Sequence, residues 1–262
     1  KEAAYTQVRQ VFQKTRSTKI QIGVRRKPYP NGSPGYLRVD SVHQGDLDGV
    51  KGIYLINAVD EVTQMQCIVA VPRISEIFLV PALNQMMESF PFVIRNFHSD
   101  CGSEYINRKV AEMLEKLRIE QTKSRARHCN DNALVESKNA STVRKYLGYA
   151  HIPAPMADLV SEFTRGVLTP YINYHRPCFF SYEEEDAKGK IRKKYRYEDM
   201  MTPYEKFRSL PQNESYLRPG LTFGQLDAIA SAQSDNEAGL ALQNAPQILF
   251  QTINKRSQRS AA

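Results

Sequence analysis

The sequence predicts a mixed α/β domain, a sheet flanked by helices with a small helical C-terminal extension, and three observations carry that expectation. Residues 36–43 alternate Leu37 and Val39 against Arg38 and Asp40, the period of a strand whose two faces differ. Two short apolar runs follow, GIYLINAV (52–59) and MQCIVAV (65–71), and the tight connection over 60–64 makes them an antiparallel hairpin. Farther on, Val110, Met113, Leu114 and Leu117 recur at helical spacing behind Asn107, a good N-cap.

The remaining elements fall into place around these. Residues 1–35 form a basic N-terminal connector that ends in KPYPNGSPG, preceded by a short helix near 4–14. A helix over 78–89 admits Pro81 only in its first turn. Residues 92–97 give a fourth strand ending at His98-Ser99-Asp100, and 119–123 a fifth. A polar loop, 124–130, leads into a helix over 131–147, and a helix over 156–174 closes a core that spans 36–178 in the order βββαβαβαα. Residues 179–262 then read as a charged linker, where EEED (183–186) precedes KGKIRKK (188–194), and a helical region. Helix starts there are marked by Thr202-Pro203 and by two capping-box pairs, Thr222 with Gln225 and Ser234 with Glu237.

Composition narrows the class. A chain of 262 residues can bury one sizeable core plus an appended unit. It has no apolar run of 18 residues, so no membrane partner is expected, and Lys1–Tyr5 show no signal-peptide pattern. Without an initiator Met an upstream part is expected, and a cytoplasmic location follows from the missing export signal. The net charge of +8 suits a polyanionic partner. The four cysteines, Cys67, Cys101, Cys129 and Cys178, stand singly, which argues against a zinc knuckle and for reduced thiols.

Three carboxylates stand out by position. Asp40 lies on the first strand, Asp100 just past the fourth, and Glu136 in the first turns of the helix after the fifth. If strands one and four are neighbours the two aspartates meet, and the helix can aim Glu136 at them. Grouped oxygen ligands suit Mg²⁺ or Mn²⁺.

Local sequence agrees. Val39-Asp40, then HSDCGSEY (98–105), then DNALVESKN (131–139), with thirty-five residues between Asp100 and Glu136, resemble the catalytic core of retroviral integrases and bacterial insertion-sequence transposases, the DDE superfamily. The resemblance covers Tyr36 to about Pro177, and the segments YHRP (174–177) and TPYE (202–205) are also transposase-like. It implies an RNase H-like sheet and a DNA transposase or integrase that cleaves and joins DNA by in-line attack on a phosphodiester. It further implies two Mg²⁺ (or Mn²⁺) held by Asp40, Asp100 and Glu136 as catalytic and metal ligands, with element ends and target DNA as substrates and a homodimer or higher oligomer on DNA, in a bacterial cytoplasm. Cys101 stands where that family often has Asn, a tolerated departure. A domesticated DNA-binding relative, or an RNase H-like hydrolytic nuclease, would share the same motifs.

Two further expectations concern the surroundings. At about 100° per residue, Asn139 and Arg144 lie about 60° and about 80° from Glu136, whereas Lys138 and Lys145 lie about 160° and about 180° away. Asn139 and Arg144 are therefore the expected DNA contacts on the helix, and Lys138 and Lys145 would contact another duplex, another subunit or only solvent, with solvent the default. Arg125, Arg127 and His128 in the preceding loop are expected to serve DNA phosphates. His175 could reach the site from the last helix, or make a structural hydrogen bond. Without metal, three adjacent carboxylates repel, so at least one should titrate abnormally high.

Overall fold

A computed structural model describes residues 22–186 and 189–261. The helix expected near 4–14 lies outside them. The chain opens with β1 (Val24–Arg25), β2 (Tyr36–His43), a small hairpin of β3 (Asp46–Leu47) and β4 (Val50–Lys51), then β5 (Tyr54–Asp60) and β6 (Gln66–Val71). Helix α1 (Glu76–Ser89), β7 (Asn96–Ser99), α2 (Arg108–Lys116) and β8 (Glu120–Lys123) follow. One six-stranded sheet orders these as β1-β8-β7-β2-β5-β6. Strands β2, β5 and β6 run antiparallel in turn, while β7 and β8 lie parallel to β2. This is the mixed sheet flanked by helices that the sequence predicts.

Both faces of the sheet are covered, which is why β5 and β6 are apolar almost throughout rather than alternating. On one face Leu37, Val39 and Phe97 pack with Leu79, Leu83 and Met86 of α1 and with Val110 and Leu114 of α2. The other face carries Val42, Leu55 and Ile68 against Val143, Leu147, Val160 and Leu168. Those last four come from two long helical runs. The first comprises α3 (Ala133–Lys138), a π-helical stretch (Asn139–Arg144) and α4 (Lys145–Leu147). The second starts as α5 (Ala157–Phe163) and holds π-helical stretches at Thr164–Leu168 and Tyr171–His175.

Several elements depart from the expected outline. A sixth strand exists because Val24 and Arg25, in the expected connector, pair in parallel with Thr122 and Lys123. Helix α1 begins at Glu76, so Pro81 sits inside it rather than in the first turn. The N–H that proline lacks would have bonded the carbonyl of Ile77, a residue on the exposed side of the helix. Strand β7 starts at Asn96 because the preceding residues are claimed elsewhere: Val93 N–H donates to the Tyr216 carbonyl and Phe92 bridges Leu217. Leu117 caps α2 half exposed instead of joining its buried stripe.

The expected linker is a hairpin. Strands β9 (Ser181–Glu185) and β10 (Ile191–Tyr195) pair so that Glu183 faces Lys193 and Glu184 faces Arg192. Charge segregation along the sequence becomes charge complementarity across the ladder, where opposite pairs stabilise and like pairs would not. Beyond it, α6 (Pro203–Arg208), α7 (Phe223–Ala230) and α8 (Asp235–Ala261) are the expected helices. Full capping boxes start α6 at Thr202 and α7 at Thr222, and Ser234 and Glu237 bond reciprocally before α8. Tyr204, Phe207 and Leu226 join the first core, and Leu242, Leu249 and Ile253 the second, so the C-terminal helices are packed on the sheet's own layers. Among the described residues, no helix is long and apolar enough to cross a membrane.

Candidate active site

Register assembles the site. Arg38 pairs with His98 and Val39 with Ser99 across the parallel strands β2 and β7. One step farther come Asp40, still on β2, and Asp100, just past β7. Helix α3 packs across β2 and β5 and carries Glu136 over the same strand ends.

Asp40 is half-buried and tightly held. Its Oδ1 accepts from the Ser41 backbone N–H at 2.8 Å and its Oδ2 from Asn139 Nδ2 at 2.7 Å. Burial raises its carboxyl above the ordinary aspartate range; the Ser41 and Asn139 bonds oppose that, and the charges of Asp100 and Glu136 add to it. One carboxyl of the three thus titrates high, as expected, although desolvation rather than mutual repulsion leads. Asp100 is exposed, and its Oδ1 accepts from the Ser124 hydroxyl at 2.7 Å. Glu136 is exposed on α3.

The three side chains offer only hard oxygens, the chemistry that Mg²⁺ and Mn²⁺ prefer, and the electrostatic pressure on Asp40 is what a cation relieves. In kind, each donor suits such an ion. Among the described residues, no three His, Cys, Asp or Glu side chains are grouped so as to hold a metal ion.

Two polar chains brace the aspartates. Asn139 Oδ1 accepts from Asn57 Nδ2 at 2.7 Å, and Asn57 Oδ1 accepts from Gln66 Nε2 at 2.7 Å, so buried amides run from Asp40 across β5 to β6. On the other side Ser124 lies 3.3 Å from His98 Nε2, and His98 Nδ1 lies 2.9 Å from the Thr122 hydroxyl. Burial, with the charge of Arg38 next, pushes His98 down to about 3, so the imidazole is neutral. Its neutral form has one N–H and one lone pair for two hydroxyl neighbours.

Asn139 and Arg144, the expected DNA contacts, are committed to protein partners. The Arg144 guanidinium donates to the His43 carbonyl, the Gly148 carbonyl and Gln44 Oε1, and stacks over Tyr149. The π-helical stretch over Asn139–Arg144 explains part of this, because a wheel of fixed 100° steps does not hold through it. Lys138 departs from the expected solvated position: it is half-buried beside Cys178 and Arg176, and desolvation lowers its pKa. Lys145 is exposed, over the Tyr146 ring.

In the loop before α3, Arg125 forks onto Asp131 through two side-chain bonds of 2.9 Å, and the arginine holds that carboxyl well below the usual range. Arg127 and His128 are exposed, Arg127 with a left-handed φ of 64°. His175 makes the structural bond: its Nδ1 lies 2.9 Å from Asp235 Oδ1 at the start of α8. Cys101 Sγ accepts from Arg25 at 3.4 Å, and Cys67, Cys101 and Cys178 are free thiols.

Ser124, Asn57 and the pair Ser41–Glu104, whose hydroxyl and carboxylate lie 3.2 Å apart, were not singled out from sequence. Ser124 was within reach. Ser99 pairs with Lys123 in the parallel β7–β8 ladder, so the next residues, Asp100 and Ser124, had to meet.

Residues 31–129 match the family model of the integrase core domain, a stretch that includes Asp40 and Asp100 and ends before Glu136. Over these residues the chain is similar to the integrase core domain. The chain is 29% identical over 163 residues to uncharacterized protein y4rM of Sinorhizobium fredii (strain NBRC 101917 / NGR234), covering 62% of this chain and 47% of the relative. It thus spans about half the length of the curated relative it matches. Solved structures similar to this chain include one from the simian T-cell lymphotropic virus intasome in complex with PP2A regulatory subunit B56 gamma, 16% identical with a TM-score of 0.43 over 63% of this chain and 56% of that one. The HTLV-2 integrase catalytic core domain in complex with magnesium is 16% identical, TM-score 0.39, over 60% and 93%. The BIV integrase catalytic core domain is 14% identical, TM-score 0.41, over 65% and 91%.

Proposed function

We propose that this chain is a DDE-type transposase, a polynucleotidyl transferase that cleaves DNA and joins the freed end to a target, with Asp40, Asp100 and Glu136 as its catalytic, metal-holding carboxylates. The observation that carries the proposal is the register of β2 and β7, which sets Asp40 and Asp100 one step past the Val39–Ser99 pair with α3 packed on β2. A bound pair of divalent cations (Mg²⁺ or Mn²⁺) would supply the positive charge that activates a water or a DNA 3′-hydroxyl and stabilises the departing oxygen. The protein's own part is positional. Ser41 N–H and Asn139 orient Asp40 and Ser124 orients Asp100, while α3, which packs on β2 and β5, carries Glu136. Arg127 and His128 on the exposed loop are suited to phosphates, giving affinity that falls with salt. Joining two DNA ends calls for at least two subunits, so the active form is a dimer or larger assembly on DNA.

The deciding experiment is a strand-transfer assay with Mg²⁺ and a labelled duplex carrying the end of the element that encodes the chain. Wild type is expected to give joined product and Glu136→Gln none. Cleavage without joining would make the protein a hydrolytic nuclease, and equal behaviour of both proteins would sink the carboxylate assignment.

A further inference from the structure

Arg38 stands two residues before Asp40 on β2, on the same face, about 6.6 Å along the strand. Its side chain is only 2% exposed, an unusual burial for a guanidinium. Nη2 is taken by Glu61, whereas Nη1 has no hydrogen-bond partner among the described residues. A buried N–H of a charged group left in this way is costly, and the fork of an arginine suits phosphate oxygens.

Arg38 lines a cavity of about 420 Å³, a volume within the range of small-ligand sites. Helix α3 contributes Ser137 to its wall, and the β9–β10 hairpin contributes Lys193 and Tyr195, with Phe179 beside them. Lys27 completes a set of three cations. Of the two acids in the lining, Asp131 is paired by Arg125 from outside it and Glu61 takes one side of Arg38, so the lining keeps a net positive charge. Phe179 meets the Tyr195 ring edge-on at 6.3 Å between centroids, so the outer wall is aromatic. Cations behind and rings in front make the combination that holds a nucleotide, phosphate on the first and base on the second.

We propose that this cavity seats one nucleotide of the DNA strand adjoining the reacting phosphodiester, its phosphate on Arg38 and Lys193 and its base against Phe179 and Tyr195. The inference rests on the reading of the substrate as DNA. It gives the charged hairpin a role: to close the cavity beside the carboxylates and fix the strand's register on them.

The test uses the full chain without divalent metal. Binding of labelled (dT)20 is followed by anisotropy across a salt series, and melting is followed with millimolar dTMP. Lys193→Gln and Tyr195→Ala alter exposed side chains. Each is expected to weaken (dT)20 binding about tenfold, Lys193→Gln to lower the salt slope by about 0.7, and dTMP to raise the melting temperature of wild type but of neither variant. Arg38→Met, if it folds, should lose the dTMP shift entirely. Wild-type binding of (dT)20 that both surface variants retain, with no dTMP shift, would overturn the pocket and leave the DNA reading standing. A dTMP shift lost in the variants, with no (dT)20 binding by wild type, would support the pocket and sink the DNA reading. Absence of both responses would overturn both.

Discussion

Asn139 holds Asp40: its amide Nδ2 donates to Asp40 Oδ2 at 2.7 Å while its Oδ1 receives the Asn57 amide, also at 2.7 Å. The two bonds fix the amide's orientation and, together with the Ser41 N–H on Oδ1, that of the Asp40 carboxylate. Partners of this kind behind a ligand typically contribute 10–100-fold to affinity or activity. Asn139→Ala is therefore expected to lower Mg²⁺-dependent cleavage about tenfold or more. It should also cost about 1–3 kcal/mol of stability, because Asn57 loses the acceptor for a part-buried N–H. Cleavage rates at saturating Mg²⁺ and urea midpoints check both halves; unchanged cleavage would remove Asn139 from the site.

That bond also shows what the sequence made legible. Asp40, Asp100 and Glu136 could be placed because strand ends and motif spacing are local properties, and Asn139 was placed on their side of the helix. Its actual partner was not legible, since a π-helical stretch begins at Asn139 and no composition signal announces one. The hairpin over 181–195 was missed for a related reason: its residues have no alternating apolar face, and only cross-strand pairing of Glu183 and Glu184 with Lys193 and Arg192 makes it a hairpin. Strand β1 was hidden because two residues carry no period. Strands β5 and β6 were plain, because burial on both faces leaves nearly continuous apolar runs.

Ser124 does for Asp100 what Asn139 does for Asp40. Ser124→Ala deletes the 2.7 Å donor without opening a cavity, as the contact is exposed. Cleavage turnover is expected to fall about tenfold with KM for DNA little changed and stability within about 1 kcal/mol of wild type. Ser124→Thr, which keeps the hydroxyl, should restore most of the rate. A Thr variant as slow as Ala would assign the effect to packing rather than to the hydroxyl.

Metal should be visible without catalysis. A ligand at 100 times its Kd stabilises the folded state by about 2.7 kcal/mol, which for a chain of this size is a melting shift of about 5–10 °C. Mg²⁺ is expected to raise the melting temperature of wild type by that order and to shift Asp40→Asn or Glu136→Gln much less. Calorimetry with and without Mg²⁺ reads this directly. A wild-type curve indifferent to saturating Mg²⁺ would count against the site.

Acid stability turns on His98 and Asp60, which act in opposite directions. His98 is fully buried and pushed down to about 3 from an ordinary 6.5, so the unfolded chain binds the extra proton between those values. Its contribution is complete above about pH 6.5 and is lost as pH falls toward 3, at about 1.4 kcal/mol per unit. Asp60 is also fully buried. It accepts from the Gly35, Tyr36, Val62 and Thr63 backbone N–H groups and from the Thr63 hydroxyl, yet burial outweighs these donors and pushes it up to about 6. The folded state therefore holds a proton there that the unfolded chain releases above about 3.8, and stability from this group is lost as pH rises through 6. Between about pH 4 and 6 the two slopes nearly cancel. His98→Asn removes one of them, so the stability difference between wild type and this variant should grow from pH 4 to 6.5 and then level. Asp60→Asn should give a difference that grows the other way, toward low pH. Urea unfolding of the three proteins at several pH values measures both differences, and a His98→Asn difference independent of pH would mean that the imidazole is not held neutral against protonation.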